Sequence, residues 1–191
     1  MKIGLYFGSF NPVHVGHLII AESILAMADI DEIWMIVSPL NPFKEKKDLL
    51  DHHIRLDLVK TATRGNKKIT GSDIEFGLPI PSYTIDTLRH LEANTRNKTF
   101  ALIMGEDNLE GLHKWKESKA LVNNYDIYVY PRMEHHTTRF DNNERIKRVD
   151  APIIELSSTK VRKKIAQNES IRYIVVENVR KKILKEGYYQ S

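Results

Sequence analysis

The chain has 191 residues, 41% of them apolar and 28% charged, with a formal net charge of +4 and no cysteine, which suits one globular α/β domain with its own core. The absence of cysteine excludes disulfides, thiolate metal sites and cysteine nucleophiles. No apolar run approaches the ~20 residues that span a bilayer and the first residues lack a signal pattern, so we expect a cytoplasmic protein that does not bind membranes.

The first half of the chain alternates between strand and helix patterns. Short apolar runs predict strands at Ile3–Phe7 and Glu32–Val37, and an apolar stripe predicts a helix over Gly16–Ala28 between them. This order over about 35 residues is a βαβ unit, which indicates a parallel sheet. The alternation then continues with a helix over 51–63, a strand over 67–76 and a helix over 82–94.

The second half continues the same alternation. We expect a strand at Thr99–Met104 and a helix over Asp107–Ser118. The polar stretch 132–148 is the least regular part of the chain. The remaining elements are strands over 126–130 and 153–156 and two closing helices, of which the last covers 176–186 and is capped by Gly187.

These elements predict a Rossmann-like α/β fold, a doubly wound parallel sheet with helices on both faces. We expect a single domain, 1–191, in which residues 157–191 form a C-terminal helical part. Ligands bind such sheets beyond the carboxyl ends of the strands. One crevice should therefore be lined by the turns that follow Phe7, Val37, Met104, Tyr130 and Leu156.

The turn after the first strand has the composition of an anion site. Gly8 allows a close backbone approach, and Gly16 stands at the start of a helix whose free N–H groups attract anions. His14 and His17 are three residues apart, so both rings can face one anion. Each histidine alone is more often a capping or core residue, but the string Gly-Ser-Phe-Asn-Pro-x-His-x-Gly-His is far more specific. It is neither the dinucleotide fingerprint nor a Walker loop.

The turn after residue 156 carries a second anion signal. Ser157 or Ser158 is a good N-cap for the helix that follows. The first turns of that helix nevertheless hold cations, which oppose the positive end of the helix dipole unless a polyanion binds there. The alternative is a solvated basic helix with an ordinary serine cap. The cations are Lys160, Arg162, Lys163 and Lys164.

Residues in the middle turns have two interpretations each. Asp107 can cap a helix or accept hydrogen bonds from ribose hydroxyls. Trp115 lies among polar residues and can be a packing residue or stack on a flat ring. The segment 82–84 opens a helix whose N–H groups can bind a carboxylate or be capped by their own side chains. The pairs His52-His53 and His135-His136 are interpreted as surface residues.

Several of these strings resemble one known family. The first-turn string resembles the H-x-G-H signature of the nucleotidyltransferase superfamily, and its Gly-Ser-Phe-Asn-Pro start is similar to the nicotinate mononucleotide adenylyltransferase branch. The last turn resembles the family's Ile-Ser-x-Thr-x-x-Arg, with Leu156 in place of Ile. The chain departs from the family pattern after Arg132, where Met-Glu replaces Pro-Gly. Further resemblances are Ser-Tyr-Thr-x-Asp-Thr at 82–87, Pro-x-Lys at 42–44 and Gly-x-Asp followed by Trp at 105–115.

The resemblance implies an adenylyltransferase of NAD biosynthesis that converts nicotinate mononucleotide and ATP to nicotinate adenine dinucleotide and pyrophosphate. We also expect Mg²⁺ carried on the ATP phosphates with mostly water ligands, and no metal held by the protein, because the sequence shows no dedicated carboxylate cage. The implied catalytic residues are His14, His17, Lys44 and Arg162. The implied ATP-binding residues are Gly8, Ser9, Phe10, His14, Gly16, His17, Gly105, Asp107, Arg132, Ser157, Ser158, Thr159 and Arg162. The implied substrate-binding residues are Asn11, Lys44, Ser82, Tyr83, Thr84 and Trp115.

Two other functions stay open beside this one. Another adenylyl- or cytidylyltransferase of the superfamily, such as a phosphopantetheine adenylyltransferase, would share the two signatures but not the tryptophan and Ser-Tyr-Thr strings. A non-enzymatic protein that binds nucleotides or nucleic acid would need surface aromatics or a reader motif, and the sequence shows neither, so we expect no nucleic-acid partner. Assembly into a homo-oligomer is left open.

Overall fold

The computed structural model describes residues 1–40, 49–133 and 138–190. Within them six strands form one sheet with the order β3-β2-β1-β4-β5-β6, and every neighbouring pair is parallel. The strands are β1 (Lys2–Gly8), β2 (Glu32–Val37), β3 (Ile69–Ser72), β4 (Thr99–Gly105), β5 (Ile127–Tyr130) and β6 (Ile146–Arg148). The order reverses between β1 and β4, so the switch point at which ligands bind lies beyond the carboxyl ends of these two strands.

Helices cover both faces of the sheet. They are α1 (Val15–Met27), α2 (His52–Ala62), α3 (Thr84–Asn94), α4 (Glu106–Gly111), α5 (Ser118–Asn124), α6 (Ser158–Ala166) and α7 (Glu177–Glu186). Short 3₁₀ helices lie at Ile74–Gly77 and Leu112–Lys114. None of the helices in the described ranges combines the length and the apolar character that a membrane span requires.

The core consists of two apolar clusters separated by the sheet. Ile3 and Leu5 of β1 belong to the cluster that contains Leu88 of α3, whereas Tyr6 belongs to the cluster that contains Ile20 of α1. Successive side chains of a strand point to opposite faces, and a strand buried on both faces is apolar at nearly every position. The predicted Rossmann-like, doubly wound fold with helices on both faces is therefore confirmed.

The two C-terminal helices pack on the same cluster as α1. Val161 of α6 and Val179 of α7 are buried together with Tyr6. Gly187 ends α7 in the left-handed region at φ 67°, and its N–H donates to the carbonyl of Ile183, as the sequence predicted. The single domain expected for 1–191, with 157–191 as its C-terminal helical part, stays a prediction.

The last strand of the sheet was predicted in the wrong place. The segment 153–156 forms no strand, and Ile153 is 56% exposed. β6 lies instead at 146–148, inside the stretch that was interpreted as irregular, and pairs with β5. An edge strand that carries Lys147 and Arg148 lacks the apolar run by which buried strands are recognised, so the pattern favoured the wrong segment.

Two other predicted elements are shorter than expected. The strand predicted over 67–76 ends at Ser72, whose hydroxyl accepts the N–H of Ile74 at 3.3 Å and so starts a turn. The helix predicted over 107–118 ends near Lys114. Glu117 then adopts a left-handed conformation, with φ 51°, before α5 begins.

Candidate active site

A cavity of about 500 Å³ lies where β1 and β4 end. Its wall includes Gly8 at the end of β1, Met104 near the end of β4 and Ser157 at the start of α6. The predicted crevice is therefore present. Most of the residues that the sequence assigned to binding lie in its wall.

The first turn forms the floor of this cavity. Gly8, Ser9, Phe10 and Asn11 line it. Phe10 is buried and has φ 44°, and a Cβ atom on Gly8 would lie 2.8 Å from the Phe10 ring. That distance is shorter than real contacts allow, so only glycine fits between β1 and this ring.

His14 and His17 stand together at the start of α1, and both line the cavity beside Gly16. Their rings stack with centroids 3.6 Å apart and planes 24° apart. Nδ1 of His17 accepts the backbone N–H of His14 at 3.1 Å. Because Nδ1 is the acceptor, the neutral His17 ring carries its proton on Nε2. That N–H is the group His17 can offer to a bound anion.

His14 is the more buried of the two histidines. Burial, together with the charge of Arg132, lowers the pKa of His14 from 6.5 to about 4. Its Nδ1 is buried and has no hydrogen-bond partner within the described part of the chain. A buried polar atom without a partner is costly and is rare outside functional sites. His14 is thus neutral at pH 7, and a polyanion bound beside it would stabilise its protonated form.

The lowered pKa of His14 predicts a pH-dependent stability. Between pH 6.5 and pH 4 the unfolded chain binds a proton at this histidine while the folded protein does not, so stability falls as the pH falls. We expect the free energy of unfolding to drop over that range by about 3 kcal/mol more in the wild type than in His14→Asn. Urea unfolding of both proteins at pH 7 and pH 4 measures this difference. Equal losses in the two proteins would contradict it.

The last turn begins α6 as the sequence predicted. Ser157 is the N-cap, and its hydroxyl accepts the N–H of Lys160 at 3.2 Å. Two of the cations in the first turns have acidic partners on the protein surface, since Lys160 pairs with Glu155 at 2.6 Å and Lys164 with Glu169 at 2.5 Å. The excess of positive charge expected there is therefore partly compensated.

Hydrogen bonds join the last turn directly to the first. The hydroxyl of Ser158 donates to the carbonyl of Pro12 at 2.8 Å, and Nη1 of Arg162 donates to the carbonyl of Asn11 at 2.9 Å. Nη2 of Arg162 lies 3.5 Å from the hydroxyl of Thr159, and Ser158, Thr159 and Arg162 line the cavity. The two anion signals, about 150 positions apart in the chain, thus form one cationic wall.

The first turn is also held by the C-terminal residues. The hydroxyl of Tyr189 donates to Oδ1 of Asn11 at 2.9 Å. The N–H of Val15 donates to the carbonyl of Ile174 at 3.0 Å. The orientation of the histidine-bearing turn therefore depends on contacts with the end of the chain.

Asp107 and Arg132 lie side by side on the β4–β5 side of the cavity. Nε of Arg132 is 3.3 Å from Oδ1 of Asp107, and the guanidinium lies over the Tyr130 ring, 5.1 Å from its centroid. The N-cap of α4 is Gly105, not Asp107, so the capping alternative for Asp107 is wrong. Gly105 does not line the cavity, because the space beside it is filled. A Cβ atom there would lie 2.4 Å from Oδ1 of Asp107.

Another part of the cavity wall is formed by the N-terminus of α3 and the turn before α5. Ser82, Tyr83, Thr84 and Trp115 line it. Ion pairs tie the Trp115 turn to α3, between Lys116 and Asp86 at 2.8 Å and between Glu117 and Arg89 at 2.6 Å. The half-buried indole is thereby held near the N-terminus of α3.

Arg55 was not singled out from the sequence. It lies on α2, is fully buried, and holds the turns after β1 and β2 through carbonyl oxygens. Arg55 precedes Leu58 by three residues and Val59 by four, which places it on the apolar face of the helix. An arginine on an apolar face was the pattern from which its burial could have been predicted. Its hydrogen bonds go to Leu50 at 2.8 Å, Ser9 at 2.6 Å, Ser38 at 2.9 Å and Pro39 at 3.0 Å.

Glu75 was also missed. It lies in the cavity wall on the 3₁₀ helix after β3 and is buried, with hydroxyl groups around its carboxylate. No periodic pattern distinguishes such a residue from an exposed glutamate. Two predictions, the role of Lys44 and the surface position of His135-His136, lie outside the described residues.

Residues 5–164 match the model of the cytidylyltransferase-like family. A protein of Flavobacterium psychrophilum named "Probable nicotinate-nucleotide adenylyltransferase" is 48% identical over 193 residues, covering all of both chains. A protein of the same name from Cytophaga hutchinsonii is 44% identical, also over all of both chains. In fold, the chain is similar to the Plasmodium falciparum nicotinic acid mononucleotide adenylyltransferase complexed with NaAD. The TM-score is 0.79 at 20% identity, over 98% of this chain and 97% of that one.

Proposed function

The chain belongs to the nicotinate-nucleotide adenylyltransferases of the cytidylyltransferase-like family, and we propose from its site that it transfers the adenylyl group of ATP to nicotinate mononucleotide. The products are nicotinate adenine dinucleotide and pyrophosphate, a step of NAD biosynthesis. The observation that carries this proposal is the pair of hydrogen bonds from Ser158 and Arg162 to the first turn. They set α6 beside the two histidines in one wall that suits a triphosphate.

The reaction needs positioning more than proton transfer. The attacking group is a phosphate oxygen of the mononucleotide, which is mostly dianionic at pH 7 because its second pKa is about 6. It forms a bond to the α-phosphorus while the bond from that phosphorus to the bridging oxygen breaks, and the electron pair leaves with pyrophosphate. No general base or covalent intermediate is required. The protein must hold two anions together and offset their charge.

We assign the phosphate contacts to the joined turns. Nε2–H of His17 donates to the α-phosphate, since its Nδ1 is engaged by the His14 backbone. His14 contacts the β-phosphate, and Arg162 and Lys44 offset the charge of the leaving pyrophosphate. Ser157, Ser158 and Thr159 hold the β- and γ-phosphates at the N-terminus of α6.

The nucleoside of ATP is assigned to the β4–β5 side of the cavity. The side chain of Asp107 is 58% exposed, so its carboxylate is open to ribose hydroxyls. Arg132 lies beside it, in position to contact the adenosine. Gly105 acts by leaving room for the Asp107 carboxylate, and the first-turn residues Gly8–Phe10 pass beneath the nucleotide.

Mg²⁺ is expected on the phosphates of ATP rather than in a protein cage. Within the described ranges no three His, Asp or Glu side chains are arranged to hold a metal ion. Mg²⁺ commonly binds through substrate phosphates and keeps several waters, which is compatible with a wall made of imidazoles, hydroxyls and a guanidinium. The ion would add positive charge to that wall when ATP is bound.

The mononucleotide is assigned to the α3 side, where Trp115 provides a flat surface for the pyridine ring. We expect Trp115→Ala to raise KM for nicotinate mononucleotide by about 10- to 100-fold, since stacking of a base on an aromatic ring contributes roughly 1–3 kcal/mol. KM for ATP should change less than about twofold, because the nucleoside of ATP is assigned to the β4–β5 side of the cavity. Steady-state kinetics with each substrate varied in turn measure both values, and a parallel rise of the two KM values would contradict this assignment.

A pyrophosphate-release assay tests the function as a whole. The purified protein is given ATP with nicotinate mononucleotide, nicotinamide mononucleotide or phosphopantetheine. We expect release with the first substrate at the highest kcat/KM. Release with phosphopantetheine alone would overturn the substrate assignment and keep the adenylyltransferase class. The cytoplasmic location and the assembly state stay predictions, to be tested by fractionation and by size-exclusion chromatography with light scattering.

A further inference from the structure

A buried carboxylate stands in the wall of the mononucleotide end of the cavity without a place in the mechanism. Glu75 is 2% exposed. Its Oε2 accepts the hydroxyl of Ser82 and its Oε1 accepts the hydroxyl of Thr87, both at 2.9 Å. Ser38, just beyond the end of β2, lies near the same carboxylate and favours its charged form. Burial raises the pKa of Glu75, and the neighbouring Ser38, Ser82 and Thr87 act in the opposite direction.

The hydrogen bonds from Ser82 and Thr87 lie on either side of the N-terminus of α3. The N-cap is Tyr83, which lies between Ser82 and Thr87 in sequence. The Tyr83 carbonyl accepts the N–H of Asp86 at 2.9 Å and that of Thr87 at 3.1 Å. Glu75 is therefore hydrogen-bonded to residues on both sides of the first turn of α3, and it holds that turn against the 3₁₀ helix that follows β3.

This first turn faces the substrate cavity. Tyr83 and Thr84 line the cavity, and the side chain of Tyr83 makes no hydrogen bond to the free N–H groups of the helix. Such groups have no acceptor within the helix and attract anions. A carboxylate offers them two acceptor oxygens, whereas a carboxamide offers one oxygen and a donor that the N–H groups cannot use.

We propose that Glu75 is a positioning residue that makes the enzyme prefer the acid mononucleotide over the amide, by fixing the first turn of α3 against the pyridine end of the cavity. This inference rests on the proposed function. The negative charge of Glu75 by itself disfavours an anion nearby, so the preference comes from the N–H groups that Glu75 aims. The charge of Glu75 and the placement of the N–H groups therefore act on the preference for the acid in opposite directions. Loss of the charge alone would strengthen that preference, whereas loss of the placement would weaken it.

Glu75→Gln is the decisive variant, because it keeps the size of the side chain and loses the charge and one acceptor oxygen. Thr87→Val removes one of the two hydroxyl groups that donate hydrogen bonds to Glu75 and leaves Glu75 itself unchanged. Asp73→Asn is the matched control, since Asp73 is the exposed N-cap of the same 3₁₀ helix and makes no capping bond. The measured quantity is the ratio of kcat/KM for nicotinate mononucleotide to kcat/KM for nicotinamide mononucleotide, with KM for ATP measured alongside.

We expect Glu75→Gln to lower the acid-to-amide ratio about tenfold, the usual scale of one hydrogen bond to a charged group. Thr87→Val should lower it in the same direction, Asp73→Asn should leave it unchanged, and KM for ATP should stay within about twofold in all three. A merely structural defect would lower both kcat/KM values together and leave their ratio unchanged.

An unchanged or raised ratio in Glu75→Gln overturns the proposal while the wild type remains an adenylyltransferase. Where circular dichroism shows that Glu75→Gln does not fold, Thr87→Val carries the test, and an unchanged ratio there overturns the proposal as well. A wild type that releases no pyrophosphate with either mononucleotide would instead overturn the proposed function and the inference with it.

Discussion

Replacing His17 by alanine should lower kcat by about 10²–10³, the usual effect of removing one preorganised hydrogen-bond donor from a developing charge. Nε2–H of this ring is the donor assigned to the α-phosphate, where bond formation and cleavage occur. His17 is preorganised because its Nδ1 accepts the His14 N–H and its ring stacks on His14 at 3.6 Å. The donor therefore needs no rearrangement when charge develops.

The same substitution should leave the fold intact. It removes the hydrogen bond to the His14 N–H, so we expect a loss of about 1 kcal/mol in the free energy of unfolding and an unchanged circular dichroism spectrum. His113→Ala is the control, since His113 is exposed and lies outside the cavity wall. Single-turnover pyrophosphate release measures the chemical step. A purified His17→Ala protein with near-normal turnover would remove His17 from the mechanism.

Replacing Arg55 by methionine should lower the free energy of unfolding by about 3–5 kcal/mol, because breaking a buried charged network leaves its partners unsatisfied. Four carbonyl oxygens accept from this guanidinium, at 2.6–3.0 Å. Methionine fills part of the volume and satisfies none of them. The free energy follows from the midpoint and slope of urea unfolding.

Two further variants show whether the loss comes from the hydrogen bonds. Arg55→Lys keeps the charge but cannot reach four acceptors with one ammonium group. We therefore expect its free energy of unfolding to lie between that of the wild type and that of Arg55→Met. Arg64→Met changes an exposed arginine just beyond α2 and should alter stability by less than about 0.5 kcal/mol. A loss below about 1 kcal/mol in Arg55→Met would mean that the carbonyl groups find other donors.

Buried strands and short motifs were predictable because each has a local signal. The apolar runs of β1, β2 and β4 come from burial on both faces, which leaves no polar positions to interrupt them. The turns after β1 and before α6 combine glycine, serine, histidine and arginine at spacings that suit anions. The structure joins these two turns through Ser158 and Arg162.

The rest of the site depends on contacts between distant residues, which leave no local pattern. Glu75 is bound by Ser82 and Thr87, seven and twelve positions away. Arg55 reaches Ser9 across 46 positions. At the sheet edge, β6 pairs with β5 and contributes a single apolar side chain, Ile146, to the core, so hydropathy favoured 153–156 over 146–148. In each case tertiary contacts determined the structure where the local pattern was neutral or misleading.

The bonds that tie the first turn to the C-terminal helices also bear on how the protein is made. The amino-terminal histidines leave the ribosome well before Arg162 and Tyr189, which contact Asn11 from 151 and 178 positions further along the chain. Contacts of such high sequence separation form late and slow the folding of a chain. A nascent chain that stops before residue 157 would carry both imidazoles without the guanidinium of Arg162, so ATP binding should begin only after the segment that follows residue 156 has been synthesised.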